Sequence, residues 1–416
     1  MGTRYRQRVI RRWVGTVIAV GLVAAVSLGI RIGLVPESEV QAATLAVPAE
    51  PGPSGDAFYT APTPLPTGRP GDILRWRPSV ALLNVLNANA WEVMYLSTNA
   101  LGKRDAVTGM VIVPKGIEAA EAPIVGFGVG TQGPAFKCTP SKAIRRGLLY
   151  DEPAVNDSIG SGFAVAITDY EGYGPHTTPT YMTGQSMGPA VIDMVRAAQR
   201  LPAAHLSRTA KVIFQGYSQG GGGALWAAEK QPAYAPELNL VGAVAGGVPA
   251  DLGEVAKGLD GQVGYGFLLF AAMGLDAAYP DLKLNSFLND AGRAEIAKAK
   301  ADYCAPELLL KEAFAEVGDF TTSNPLSTSQ WKARIAQNRL GASPPKVPVL
   351  QYHAKQDEIV KLPQADALHK VYCAKGVRLQ FNTILSDHLT GIMTGNKAAH
   401  QWIVKRFHDD PAPSNC

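Results

Sequence analysis

Short apolar runs rich in β-branched residues alternate with segments of helical periodicity along most of this chain. Residues 91–100 (WEVMYLSTNA), 106–114, 122–129 (APIVGFGV), 162–170, 211–215 (KVIFQ), 239–247, 347–353 (VPVLQYH) and 377–384 (VRLQFNTI) each predict a strand. Helices are predicted over 181–200, 219–230, 362–375 and 389–407. This alternation implies an α/β fold: a mostly parallel sheet covered on both faces, with ligands at the carboxyl ends of its strands.

Two stretches break the rhythm. Residues 43–78, rich in Pro, Gly and Ala, read as an extended N-terminal arm without a periodic segment. Residues 251–345 offer no strand but hold the apolar run FLLFAAMGL (267–275) and the helical pattern DAGRAEIAKAKADY (290–303). So long an insertion between sheet strands predicts a helical cap, or lid, over the core formed by 79–250 and 346–416. The run at 267–275 is too short to span a membrane and serves either the cap's own core or the wall of an apolar pocket.

The N-terminus changes the meaning of the composition. Five arginines within the first twelve residues precede the uncharged stretch VGTVIAVGLVAAVSLGI (14–30), and Val40-Gln41-Ala42 resembles a signal-peptidase site. Residues 1–42 therefore read as a signal peptide cut after Ala42, with an uncleaved membrane anchor as the alternative, and the remaining chain as secreted. These residues hold six of the 39 basic and two of the 35 acidic side chains, so the rest balances at 33 of each. The formal charge of +4 belongs to the export segment, and nothing is left to argue for a nucleic-acid partner. In an oxidising compartment Cys138, Cys304, Cys373 and Cys416 are disulfide candidates, with three pairings open.

Gly-x-Ser-x-Gly occurs at Gly184–Gly188 and at Gly216–Gly220. Only the second follows a strand and opens a helix, as a nucleophile elbow requires, which makes Ser218 the candidate nucleophile. Ser186 reads as a helix cap. The string Gly128–Gly133 fits Gly-x-Gly-x-x-Gly, but Pro134 and Pro140 stand where a dinucleotide fingerprint needs a helix. It reads better as a glycine-rich loop contributing an oxyanion donor, with Thr131 and Gln132 as candidates, while Gln219, following the nucleophile, offers the other N–H.

A base and an acid should follow Ser218 in the chain. His176 and His205 precede it, His369, His400 and His408 lie in helices or the tail, and His353 ends a strand as a half-buried residue. His388, in the loop after the last strand, is the candidate base. The acid falls in the preceding strand's loop, where these arguments leave Asp357 and Glu358 open; Asp387 adjoins His388 too closely to reach its ring. No His-Glu-x-x-His or clustered ligand set is found, so no metal or organic cofactor is expected.

From about Asp56 to Cys416 the chain resembles the secretory lipase family of fungi and actinomycetes, the lipase A type of yeast. The likeness lies in GDILRWR (71–77), GTQGPAFKCTPS (130–141), ITDYEGYG (167–174), GYSQGG (216–221), YAPELNLVGAVAGGVPA (234–250), HAKQDEIV (353–360), CAKG (373–376) and SDHLTG (386–391). The resemblance implies an α/β-hydrolase core with a helical cap, hydrolysis of acyl esters including triacylglycerols, and a triad of Ser218, Asp357 and His388. It also implies disulfides Cys138–Cys304 and Cys373–Cys416. Yeast relatives place an acid in the first oxyanion loop, where this chain has Thr131-Gln132 and no carboxylate nearby; bacterial relatives often have a histidine where Val129 stands. The expected partner is an acyl-ester or lipid substrate, with transient contact at a lipid interface and no obligate protein partner. An acyltransferase would share the same acyl-enzyme, and a non-catalytic hydrolase-fold binding module is the reading from outside enzymology.

Overall fold

The computed structural model describes residues 45–48, 51–82 and 87–416. The signal peptide and its cut after Ala42 lie outside these residues. Among the described residues no helix is long and apolar enough to cross a membrane.

The sheet is built from β1 (Ile73–Ser79), β2 (Ala88–Thr98), β3 (Arg104–Pro114), β4 (Ile124–Gly128), β5 (Ala164–Thr168), β6 (Val212–Tyr217), β7 (Leu240–Gly246), β8 (Val349–Ala354) and β9 (Leu379–Ile384). Its order is β1-β2-β3-β5-β4-β6-β7-β8-β9. The first three strands and β5 pair antiparallel, and every pairing from β5 through β4 to β9 is parallel. β4, β5, β6 and β8 are buried along their whole length, which is why their sequences run apolar without alternation. The β2–β3 hairpin turns at Asn99–Gly102, where Asn99 Oδ1 accepts the N–H groups of Leu101 and Lys103 and Gly102 takes φ +75°.

The end of the arm differs from expectation. Residues 73–79 form β1 at the sheet edge, where Pro78 loses no ladder bond that the fold needs. Arg77 faces Glu92 across β1 and β2, with Nε 2.6 Å from the carboxylate. Tyr59 is buried and donates its hydroxyl to the same carboxylate at 2.5 Å. A run of arginine, tryptophan and proline did not read as a strand because its partners come from elsewhere in the fold.

Helices cover both faces. α1 (Pro140–Arg145) and α2 (Glu152–Gly160), neither anticipated, precede α3 (Gly184–Arg200) and α4 (Gln219–Tyr234). Gly126 in β4 faces Val195 of α3, and its ladder partner Phe214 shares that side. The adjacent Ile213 pairs with Gly242, which faces the other layer, against Trp402. Ser186 is not a cap: Thr183 holds that place, and Ser186 lies buried inside α3, donating back to Thr183 O at 3.2 Å.

Between β7 and β8 run α5 (Leu252–Leu259), α6 (Tyr265–Ala278), α7 (Asp290–Asp302), α8 (Ala305–Leu310), α9 (Val317–Phe320) and α10 (Ser329–Gln337). They share an apolar core of their own, centred on Phe270, Tyr279 and Trp331. Tyr181, from the loop before α3, stacks on Phe270 with ring centroids 4.1 Å apart. α11 (Leu362–Ala374) and α12 (His388–Phe407) complete the chain. Disulfides join Cys138 to Cys304 and Cys373 to Cys416.

Candidate active site

Parallel register brings the carboxyl ends of β4, β6, β7, β8 and β9 to one rim. There β6 turns into α4 at Ser218, whose φ of 56° and ψ of −120° are strained for a residue with a Cβ. The turn is tight because glycines permit it: a Cβ on Gly216 would collide with the backbone of Gly220, and one on Gly220 with Gly128 O. Ser218 N–H donates to Gly246 O at 2.9 Å. Gln219 is the first residue of α4 and is buried, so its N–H belongs to the helix's positive end beside Ser218.

His388 and Ser218 come from 170 residues apart and meet with Nε2 2.9 Å from Oγ. His388 Nδ1 lies 2.7 Å from Asp357 Oδ2. The other carboxylate oxygen accepts the N–H groups of Ile359 at 3.1 Å and Val360 at 2.6 Å, which orients the acid through its own loop. Asp357 and Glu358, inseparable by position in the chain, are separated by geometry. The carboxylate of Asp357 reaches the ring, whereas Glu358 accepts the backbone N–H of His388 at 3.0 Å. Tyr217 donates its hydroxyl to His388 O at 2.7 Å, and Asp387 caps α12 by accepting Thr390 N–H at 2.8 Å. His353, expected to be half-buried, is fully buried; burial pushes its pKa down, favouring the neutral ring.

β4 runs into the loop 129–135 with no helix at its start, so the glycine string does not form a dinucleotide site. Thr131 lines a cavity of about 320 Å³ together with Ser218 and His388. Gln132 turns away: its side chain donates to Gly130 O at 3.3 Å, and its carbonyl accepts Ala305 N–H at 2.8 Å. A carboxylate does stand near this loop, contrary to the reading of the local sequence. Asp151, twenty-one residues on, accepts Gly130 N–H at 3.1 Å. Neither Asp151 nor Tyr150 was singled out in the sequence, since both lie far along the chain from the loop they hold.

The cavity's polar groups gather at the Ser218 end. Tyr181 hydroxyl lies 2.7 Å from Thr131 Oγ1 and Tyr150 donates to Thr131 O at 3.0 Å. Beyond them the walls are apolar, supplied by Phe267, Leu268 and Ala272 of α6, Leu252 of α5 and Ile335 of α10. Exposed Leu310 and Leu389 stand where the cavity meets the surface. A serine hydroxyl within hydrogen-bond reach of an imidazole on the wall of an apolar cavity suits attack on a carbonyl that carries a hydrocarbon tail. Among the described residues, the metal-ligating side chains that converge are His369, Cys373 and Cys416, whose sulfurs are already joined to each other.

The family model described as secretory lipase matches residues 142–415. Lipase 10 of Candida albicans is 31% identical over 399 residues, covering 88% of this chain and 83% of the relative. A "Probable inactive lipase" of Mycobacterium tuberculosis is 28% identical over 378 residues, covering 86% of this chain and 83% of that one. The X-ray structure of Candida antarctica lipase A superposes with a TM-score of 0.78 at 26% identity, covering 86% of both chains. With the parallel sheet and its flanking helices, the fold is of the α/β-hydrolase type. The chain belongs to the secretory lipase family.

Proposed function

We propose that this chain is a secreted serine carboxylic-ester hydrolase that cleaves acyl esters of the triacylglycerol kind through an acyl-enzyme. The observation that carries the reading is the unbroken relay from Ser218 Oγ through His388 to Asp357 at the polar end of an apolar cavity. Ser218 Oγ attacks the ester carbonyl as His388 Nε2 takes its proton. Asp357 holds the imidazole in the tautomer with Nδ1–H and stabilises the imidazolium. The tetrahedral oxyanion is met by Gln219 N–H and by the N–H of Thr131 or Gln132. His388 then returns the proton to the leaving alcohol, and water attacks the acyl-enzyme by the same route reversed.

In this reading residues 251–345 form a lid whose α6 walls the acyl site, and residues 1–42 are removed on export. The inactive relative makes a non-catalytic role the competing reading, and the intact relay in this chain favours catalysis. Purified mature protein should hydrolyse p-nitrophenyl butyrate and be labelled by a fluorophosphonate, and Ser218→Ala should abolish both. Equal labelling of wild type and Ser218→Ala would overturn the nucleophile. Adding a competing alcohol and finding ester product in place of free acid would convert the reading to acyl transfer.

A further inference from the structure

The loop 129–133 is held peptide by peptide. Val129 carbonyl accepts from Tyr170 hydroxyl at 3.1 Å, and Gly130 N–H, at the other end of the same peptide, donates to Asp151 Oδ2 at 3.1 Å. Thr131 carbonyl accepts from Tyr150 hydroxyl at 3.0 Å. In a trans peptide the N–H points opposite the carbonyl, so each grip also sets where a neighbouring N–H aims. Two of these grips come from consecutive residues at the entry to α2, which belongs to neither the elbow nor the relay. The fit is close: a Cβ on Gly130 would run into the Tyr150 phenol.

Asp151 makes a poor stabiliser. It is 1% exposed, and its Oδ1 has no hydrogen-bond partner among the described residues. Burying a carboxyl for one N–H bond is costly, and asparagine would offer the same acceptor without ionisable charge. Its place is better explained by what it grips.

We propose that Tyr150 and Asp151 are positioning residues that grip the loop 129–133, so that its remaining N–H groups are set for the tetrahedral oxyanion before substrate arrives. The proposal rests on the serine-hydrolase reading and adds to it a pair of residues that take no part in the bonds from Ser218 to His388 and from His388 to Asp357, though Tyr150 lines the same cavity. Preorganised donors stabilise charge because they need not reorient during the reaction. Loosening them should therefore lower kcat and leave ground-state binding alone.

The test uses the full mature protein bearing Tyr150→Phe, Asp151→Ala or Asp151→Asn, assayed on p-nitrophenyl butyrate and with an alkylboronic acid, which forms a tetrahedral adduct with the serine. Tyr150→Phe and Asp151→Ala should each lower kcat by roughly 10- to 100-fold with KM within about two-fold. The boronic acid's inhibition constant should rise in parallel with the loss in kcat/KM, and Asp151→Asn, which keeps an acceptor for Gly130 N–H, should recover most of the loss. Unchanged kcat in folded Tyr150→Phe would overturn the proposal. So would losses that follow the melting temperature without weakening the boronic acid. Should Asp151→Ala fail to fold, Tyr150→Phe decides alone, because it removes only one oxygen. Failure of the underlying reading looks different, since it would appear as activity surviving Ser218→Ala.

Discussion

His353 Nε2 lies 3.3 Å from Asp357 Oδ2, so the carboxylate that faces His388 has a second imidazole behind it. The same nitrogen donates to Val360 O at 2.6 Å, and Val360 N–H donates back to Asp357. His353 thus closes the loop that carries the acid. His353→Phe keeps the ring's bulk but leaves Val360 O unpaired. It should cost about 1–3 kcal/mol of stability in denaturant unfolding and lower kcat/KM on the order of 10-fold through misplacement of Asp357. Wild-type turnover in the folded variant would mean that the ring only fills space.

α6 has two faces with different duties. Phe267, Leu268, Ala271, Ala272 and Leu275 line the cavity, while Phe270 and Met273 are buried in the apolar core shared by the helices between β7 and β8. The apolar run that could have been core or pocket wall is both. Ala272→Phe should fill acyl space, cutting turnover of a dodecanoyl ester about 10-fold or more against an acetyl ester, since misfit of even a methylene group is worth about 1–3 kcal/mol. Phe270→Ala should instead lower stability by about 3–5 kcal/mol and affect both esters alike. Rates measured along a chain-length series separate the two outcomes.

Asp151 should make stability fall as pH rises. Its ordinary value of 3.8 is pushed up by burial to about 7, only partly offset by the Gly130 N–H bond. The titratable groups facing it are the phenols of Tyr150, Tyr170 and Tyr352, which stay neutral across this range. The folded chain therefore binds the proton more tightly than the unfolded one. That contribution is complete below about pH 4 and is lost as pH passes through 7, on the order of 4 kcal/mol in all. Asp151→Asn should gain on wild type in melting temperature between pH 5 and pH 8. A constant difference would show that the carboxyl ionises normally.

Eight strands of the sheet were legible: β4, β5, β6 and β8 because a strand buried on both faces runs largely apolar, the others because runs rich in β-branched residues are bounded by turn residues. β1 was not, because an edge strand carrying Arg75, Arg77 and Pro78 is stabilised by Glu92 and Pro53 rather than by its own pattern. The positions of Ser218 and His388 could be read because chain order and strand ends constrain them. Asp357 could not be told from Glu358 without the family likeness, since adjacent carboxylates differ only in where the loop points them. Tyr150 and Asp151 carried no signal at all: their partners, Thr131 and Gly130, are joined to them only through folding.

The Cys138–Cys304 bond gives the candidate oxyanion loop a covalent outer wall. Gly133 rests against Cys304, Ala135 N–H donates to Tyr303 O at 3.2 Å, and Ala305 N–H donates to Gln132 O at 2.8 Å. The cross-link thus pins the α7–α8 junction to this loop within a few residues of the place where the oxyanion would form. Such a bond persists under oxidising conditions and opens under reducing ones, so the shape of this loop is tied to the redox state of its surroundings.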